Sequence, residues 1–191
     1  IVDVNAAPTF LQTLEDSGIP YLFINRDMTA SFEGTDSTIF VGTNAPDAGV
    51  MQGEMFIEYM EGNENWDRNG DGKVQYGILH GGLDNPEAQA RTEYAVKTVE
   101  SGVEVEELGN QVANWDTAQA KTAVDAWMQR FPDDLDVIFS NNDTMAQGAI
   151  ESLQQVGFNG DDEANYIPVY GVDAIDAALQ LVESGGMAGT V

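Results

Sequence analysis

The stretch DRNGDGKVQYGILHGGLDNPEAQAR, residues 67–91, contains a polar loop, an apolar run and the start of a periodic segment. The apolar-rich run at residues 74–79 has the length and composition of a buried strand. Downstream, Ala88, Ala95 and Val99 are spaced as i, i+7 and i+11, which places them on one face of a helix predicted over residues 85–101. A strand followed directly by a helix is the unit from which helix-covered sheets are built.

The same strand–helix alternation runs along the whole chain of 191 residues. Strands are predicted at residues 1–4, 20–25, 37–41, 74–79, 102–108, 135–140, 166–172 and 187–191, and helices at residues 6–16, 48–60, 85–101, 117–131, 143–156 and 174–184. Alternation at this pace predicts an α/β fold in which a parallel sheet is wrapped by helices. With 42% hydrophobic residues, the chain can bury one or two such cores.

The polar loop at residues 67–75 has the residue order of a calcium-binding loop. Oxygen donors occupy its first, third, fifth and ninth positions, glycine occupies the sixth, and the seventh offers a backbone carbonyl: Asp67, Asn69, Asp71, Gln75, Gly72 and Lys73. The twelfth position, a bidentate Glu in such loops, is Ile78 inside the predicted strand. We therefore predict a calcium site whose last carboxylate comes from another part of the fold. A solvated turn between a helix and a strand is the alternative.

Polar residues collect where the predicted strands end, and ligands bind at the carboxyl ends of strands in sheets of this class. They are amides, carboxylates, one arginine and one tryptophan: Asn25, Asn85, Glu87, Arg91, Trp115, Asn142, Asp143 and Asp173. Carboxylates and amides exchange hydrogen bonds with adjacent hydroxyls, arginine offers a rigid donor fork, and an indole covers the C–H face of a sugar. The set predicts a neutral polyhydroxyl ligand.

Each of these residues also has a structural interpretation. Asn and Asp are common helix N-caps, and Asp143 and Asp116 fit that role best. Arg91 could pair with a surface acid, and Trp115 could belong to the core. His80 is the single histidine and has no cysteine partner, so we expect a structural role for it rather than zinc binding or catalysis.

Charge and composition exclude several classes of partner. The chain has 33 acidic and 7 basic residues, a net charge of -26, so a phosphate backbone or an anionic membrane surface would repel it. We therefore expect no nucleic-acid partner. The absence of cysteine fits an exported protein that avoids stray disulfides.

The runs DRNGDGKVQ, NPEAQAR, NWDTAQAK, SNNDTMAQGA and PVYGVDAIDAALQLVESGGMAGTV resemble, in the same order, the periplasmic D-galactose/D-glucose-binding proteins of bacterial ABC transporters. The resemblance implies two Rossmann-like lobes, a three-strand hinge, a sugar in the cleft and calcium in the C-terminal lobe. By this comparison residues 1–43 are part of the N-terminal lobe and the first hinge crossing, and residues 44–191 are the C-terminal lobe with the calcium loop. One lobe is then complete, and the rest of the other, with its sugar contacts, is expected to lie outside these 191 residues.

The resemblance also assigns individual residues. The sugar contacts that match the family are Asn25, Arg91, Trp115, Asn142 and Asp173. Asn85 stands where the family usually has His, and Glu87 where it has Asp, so the preferred sugar is left open. The remote carboxylate of the calcium site is placed at Asp136, where the family has Glu; a shorter side chain favours one-oxygen binding and a weaker site.

Together with the strand-end residues, the resemblance implies a solute-binding protein of an ABC sugar transporter that binds a galactose- or glucose-type hexose and is not an enzyme. The expected partners are a membrane permease and a chemoreceptor, the expected state is a monomer, and the expected location is periplasmic or extracellular, lipid-anchored in a single-membrane bacterium. One alternative is a glycoside-processing enzyme using Glu87 and Asp173, which is disfavoured because Arg91 and Asn142 should keep the acids ionised. Another is the sugar-sensing domain of a transcriptional repressor, which should carry a basic DNA-reading segment.

Overall fold

The structure, a computed structural model, describes residues 7–24, 38–160 and 165–191. In these ranges the elements are α1 Ala7–Ser17, β1 Tyr21–Ile24, β2 Thr38–Val41, α2 Ala45–Gly62, β3 Val74–His80, α3 Pro86–Glu100, β4 Val105–Val112, α4 Thr117–Arg130, β5 Val137–Ser140, α5 Asp143–Gln155, β6 Val169–Gly171, α6 Asp176–Glu183 and β7 Gly189–Thr190. All of the strand pairs among them are parallel, which confirms the predicted fold class. The strand predicted at residues 1–4 lies outside the described residues.

Five strands form one parallel sheet in the order β4-β3-β5-β6-β7. At its centre, Leu79 of β3 lies opposite Ser140 of β5, and Phe139 of β5 lies opposite Tyr170 of β6. Because the strands run in parallel, β3, β5 and β6 all deliver their following loops to the same edge of the sheet. Within the described ranges, no helix has the length and apolar character needed to cross a membrane.

The sheet is covered on both faces, as parallel sheets usually are. Successive residues of β3 point to opposite faces, so Ile78 packs with Phe56 of α2, whereas Leu79 packs with Trp127 of α4. On the first face, the Phe56 ring meets Phe139 edge-on, with 5.9 Å between ring centroids. The core therefore has two layers, one on each side of the sheet, and every residue of β3 is buried between them.

The remaining two strands, β1 and β2, form a separate two-stranded sheet. Leu22 lies opposite Ile39, and Ile24 opposite Val41, so four apolar side chains share one face. Their exposed fractions are 58%, 62%, 68% and 58%, respectively. In the part of the chain that the structure describes, this face is left open to solvent.

The strand predicted at residues 102–108 is placed differently in the structure, where β4 spans Val105–Val112. A hydrogen-bonded turn follows α3 where the strand was predicted to begin, because the N–H groups of Gly102 and Val103 both donate to the carbonyl of Val99. At its other end β4 keeps pairing until Val112 lies opposite His80. The register also shifts beside Tyr76, so β4 contains one unpaired residue that interrupts its alternating pattern.

Candidate functional site

The loops after β3, β5 and β6 lie together at the carboxyl edge of the sheet, where the sequence predicts the ligand. Asn141 links two of them: its Oδ1 accepts from Gly81 N (3.0 Å), and its Nδ2 donates to Thr92 Oγ1 (2.9 Å). Asn141 is a positioning residue that is not among the predicted site residues. In the sequence, the only indication of this role was that Asn141 lies among three polar residues, 140–142, at the end of an apolar run.

Asn85 and Asn142 are both helix N-caps, as the structural interpretation predicts. The cap uses only the carbonyl oxygen of each side-chain amide. The Asn85 Oδ1 accepts from Ala88 N, and the Asn142 Oδ1 from Met145 N, each at 3.0 Å. Both side chains are buried. With the carbonyl oxygen fixed by the cap, the Nδ2 group of each residue is left without a hydrogen-bond acceptor among the described residues. These two amides can therefore donate to a ligand.

Arg91 is buried under the same edge, which contradicts its interpretation as the partner of a surface acid. Its Nη1 donates to the carbonyl oxygen of Asn141 at 2.7 Å. Its Nε is also buried, and it has no acceptor within the part of the protein described here. Glu87 lies nearby in the first turn of α3 and is half-buried. An unpaired buried donor is costly, and a hydroxyl oxygen of a ligand would satisfy it.

Trp115 follows β4 and has a left-handed backbone, with φ of 63° after a φ of 50° at Asn114. Its indole lies against Gly81, where the added methyl group of an alanine would overlap the ring. The side chain also packs on the core layer that contains Trp127, yet it is only half-buried. The core interpretation of Trp115 therefore holds for part of the indole, and the exposed part remains available for contact.

Asp173 follows β6 with a φ of 114°, and Ala174 after it has a φ of 50°. The carboxyl is exposed at the edge of the sheet, although neighbouring protein atoms displace water from it and raise its pKa. The positive charge of Arg91 opposes that rise. The sequence predicted that Arg91 and Asn142 keep this acid ionised, but the displacement of water has a larger effect on the pKa of Asp173 than Arg91 has.

Two further predictions concern residues near this edge. Asp116 is the N-cap of α4, as predicted, and accepts from Gln119 N at 2.9 Å. Asp143 is not a cap: it is the first residue of α5, after the cap Asn142, and it is fully buried.

Asn25, the remaining predicted sugar contact, lies outside the described residues. His80 is buried, and its Nδ1 accepts from Gly82 N at 3.0 Å, a contact inside the β3–α3 loop.

The predicted metal loop, residues 67–75, is closed around its first side chain. Asp67 accepts from the backbone N–H groups of Gly70, at 2.7 Å, and Gly72, at 2.8 Å. Both glycines have positive φ, 76° and 81°, so the sharp turn requires the residue type that occupies it. Lys73 N donates to Asp71 Oδ1 at 2.9 Å, and Asn69 Oδ1 accepts from Asp71 N at 3.0 Å.

The remote residue Asp136 joins this loop from the residue before β5. It is fully buried, and it accepts from Arg68 N at 2.9 Å and from Gln75 N at 2.7 Å. Burial raises the pKa of Asp136 to about 6, although these two backbone hydrogen bonds lower it. Gln75 donates to Asp71 Oδ2 at 2.6 Å, while its Oε1 is buried and lacks a donor among the described residues.

The donor chemistry of the loop fits a hard cation. Within the described residues, no three or more His, Cys, Asp or Glu side chains form a group that could hold a metal ion by themselves. The loop instead combines carboxylates with amide and carbonyl oxygens, which is the mixed all-oxygen set that Ca²⁺ accepts. The orphaned Oε1 of Gln75 is an acceptor that a cation would satisfy.

Comparison with known proteins supplies the family. The profile of the periplasmic binding protein domain family matches residues 1–191. The chain is 37% identical over 194 residues to the D-galactose/methyl-galactoside binding periplasmic protein of Haemophilus influenzae, with 100% of this chain and 56% of that protein covered. This confirms the predicted resemblance. The chain spans about half the length of the curated relatives it matches, from 45% to 56%.

Solved structures agree on the fold. An ABC transporter solute-binding protein of Bacillus halodurans with bound myo-inositol gives a TM-score of 0.78 at 27% identity, covering 97% of this chain and 58% of that chain. A periplasmic solute-binding protein of Actinobacillus succinogenes with bound D-allose gives 0.79 at 23% identity, covering 97% and 61%. With the family profile matched from end to end on a parallel sheet of this form, the chain belongs to the periplasmic binding protein domain family.

Proposed function

We propose that the chain supplies one lobe of a sugar-binding protein of an ABC transporter, and that a galactose- or glucose-type hexose binds at the carboxyl edge of its five-stranded sheet. The observation that carries the proposal is the set of donors without acceptors at this edge. Asn85 and Asn142 each keep a free Nδ2 among the described residues, and Arg91 keeps a buried Nε. A sugar hydroxyl both accepts and donates, so it satisfies such donors and can donate in turn to a carboxylate.

The acceptors and the apolar contact complete the site. Asp173 and Glu87 present carboxylates that accept from hydroxyls, and charge-assisted bonds of this kind are stronger than neutral ones. The half-buried indole of Trp115 covers the C–H face of the ring. Asn25, placed by the resemblance in the opposite lobe, adds a contact from across the cleft. A ligand with several adjacent hydroxyls and no net charge fits this set best.

The proposal divides the chain into residues 1–43, part of the N-terminal lobe with the first hinge crossing, and residues 44–191, the C-terminal lobe. Two separate sheets support this division, because β1 and β2 form one and the other five strands form the second. The relatives that it matches are longer proteins. The sugar is then held between two lobes, and the partners are a membrane permease and a chemoreceptor.

Calcium is the proposed structural cofactor of the C-terminal lobe. The residues that would hold it are Asp67, Asn69, Asp71, Gln75 and Asp136, with the backbone carbonyl of Lys73. The ion supplies positive charge among three carboxylates. Gln75 and Asp136 join the loop to β3 and to the start of β5, so binding there stabilises the centre of the sheet.

The protein is a monomer without enzymatic activity, located in the periplasm or outside the cell.

Titration calorimetry on the full-length protein with galactose and glucose tests the function. We expect heat from at least one of these sugars, and weaker binding for deoxy analogues, because each buried group left unpaired costs about 1–3 kcal/mol. Asp173→Ala should weaken binding most. Asp176→Ala is the matched control, since Asp176 is an exposed carboxylate in the first turn of α6, beyond the strand end. Absence of heat with both sugars would overturn the assignment.

A further inference from the structure

We propose that Asp143 and Thr190 form a clasp that holds the turn carrying Asp173, which makes both of them positioning residues for ligand binding. The inference rests on the proposed function, in which the Asp173 carboxylate accepts from a sugar hydroxyl. Asp143 is one of the polar residues that the sequence places at this edge, but neither it nor Thr190 is among the predicted sugar contacts.

The turn after β6 is strained at two consecutive positions. Asp173 has a φ of 114° and Ala174 a φ of 50°, and neither is glycine. A side chain on the Cα disfavours both conformations, so such residues persist only where the surrounding structure over-determines them. The direction of the Asp173 side chain depends on this backbone. Something in the fold must therefore hold the turn.

Two hydrogen bonds from two other elements hold it, and a third joins the two side chains that accept them. The Oδ2 of Asp143, in α5, accepts from Ile175 N at 2.9 Å. The Oγ1 of Thr190, in β7, accepts from Ala174 N at 3.2 Å and donates to Asp143 Oδ1 at 2.6 Å. The two N–H groups that follow Asp173 are thus fixed by one carboxylate and one hydroxyl, which also fix each other.

The clasp is itself rigidly placed. Asp143 is fully buried at the first position of α5, and its N–H donates to the carbonyl of Val172 at 2.8 Å. Its Oδ1 lies so close to the Cα of Gly171 that a methyl group there would overlap it. The N–H of Asp173 donates to the carbonyl of Val191 at 2.9 Å, beside Thr190. The hydrogen bonds of this buried carboxylate thus go to the turn after β6 and to Thr190 of β7.

The test uses the full-length protein and compares two variants of Thr190. Thr190→Val has nearly the same shape but lacks the hydroxyl, whereas Thr190→Ser keeps the hydroxyl and serves as the matched control. Thr190→Val should weaken binding of the preferred sugar about tenfold, which corresponds to about 1.4 kcal/mol. Thr190→Ser should bind within about twofold of the parent. Added to Asp173→Ala, Thr190→Val should cause no further loss, because the carboxylate that it positions is already absent.

A role confined to stability would give a different pattern. It would lower the melting temperature of Thr190→Val but leave the dissociation constant of the folded protein unchanged, and this result would overturn the clasp. Equal losses from Thr190→Val with and without Asp173 would also overturn it. If Thr190→Val does not fold, Asp143→Asn is measured in the same way. A loss of sugar affinity that depends on Asp173 supports the clasp, and a loss of stability alone overturns it.

Failure of the proposed function would look different again. If Asp173→Ala leaves the affinity for the sugar unchanged, the carboxylate does not contact the ligand, and both the site assignment and the clasp fail together. If Asp173→Ala weakens binding and the clasp variants do not, the sugar site stands and only the clasp is wrong.

Discussion

The five-stranded sheet and the two-stranded sheet use the same kind of sequence, but they differ in burial. Ile78 of β3 is 0% exposed between two layers of helices, whereas Ile39 of β2 is 62% exposed. Both residues lie in parallel strands and both face other apolar side chains. Apolar runs thus specify strands locally, but burial on both faces requires helices on both sides. The open face of β1 and β2 is the face that the proposed division assigns to the interior of the N-terminal lobe.

The largest expected effect comes from substituting the same residue type in the two sheets. In the 191-residue chain, Ile78→Ala should lower the free energy of unfolding by about 2–5 kcal/mol, because it leaves a cavity in a closed core. Ile39→Ala should change it by less than about 1 kcal/mol, since most of that side chain is already in water. Urea denaturation followed by circular dichroism measures both variants.

The same pair sharpens the comparison in the full-length protein. There Ile39→Ala should become costly, by about 2–5 kcal/mol, if the proposed N-terminal lobe covers this face. Ile78→Ala should cost the same as in the shorter chain. An Ile39→Ala effect that stays small in the full-length protein would contradict the division into lobes.

Removal of calcium should affect the five-stranded region alone. A bound ion stabilises its lobe by about 2.7 kcal/mol when present at a hundred times its dissociation constant. A chelator should therefore lower the melting temperature and speed hydrogen exchange in β3 and β5, which Gln75 and Asp136 join to the loop. Exchange in β1 and β2 should not change. Asp67→Asn should remove most of the response, whereas Asp47→Asn, an exposed acid in the first turn of α2, should keep it. An unchanged melting temperature with chelator would count against the site.

The two roles of Asn142 can be separated by a smaller effect. Asn142→Asp keeps an oxygen to cap α5 but loses the Nδ2 donor, so stability should hold while sugar affinity falls several-fold. Asn142→Ala loses the cap as well, which should lower stability by about 1 kcal/mol. Calorimetry and thermal melts on the full-length protein give the two quantities. Asp116→Asn is the control, because it exchanges the same residue types at a cap in α4 and should change neither.

Most of the fold could be predicted from the sequence because apolar runs and helical spacing are local signals. The β4 boundary could not, since the unpaired residue in the strand and its continued pairing as far as Val112 depend on hydrogen bonds with β3. Asn142 and Asp143 are both good cap residues, so only the backbone decides which of them caps α5.

Contacts between distant residues were the main limit at the candidate site. Gln52 of α2 reaches the carbonyl oxygens of Ser140, at 2.8 Å, and Tyr170, at 3.1 Å, which tie α2 to the ends of β5 and β6. Nothing near Gln52 in the sequence signals those contacts. The positive φ at Trp115 and Asp173 could not be predicted from the sequence either, because neither residue type indicates a left-handed backbone.

The smallest expected effect concerns catalysis, where we predict no turnover of nitrophenyl galactosides or glucosides by the full-length protein. A raised pKa suits a general acid, and the pKa of Asp173 is raised, so the carboxylate pair Glu87 and Asp173 merits the test. Glycoside hydrolysis, however, needs one protonated acid opposite a second, ionised carboxylate that attacks or activates water. Arg91 only partly offsets the rise in the pKa of Asp173, so the prediction of no turnover rests on the relatives that the chain matches, which are named as binding proteins. Release of nitrophenol should therefore equal that of buffer alone. Steady release of nitrophenol that disappears in Glu87→Gln would show that the protein is an enzyme and would overturn its assignment as a binding protein.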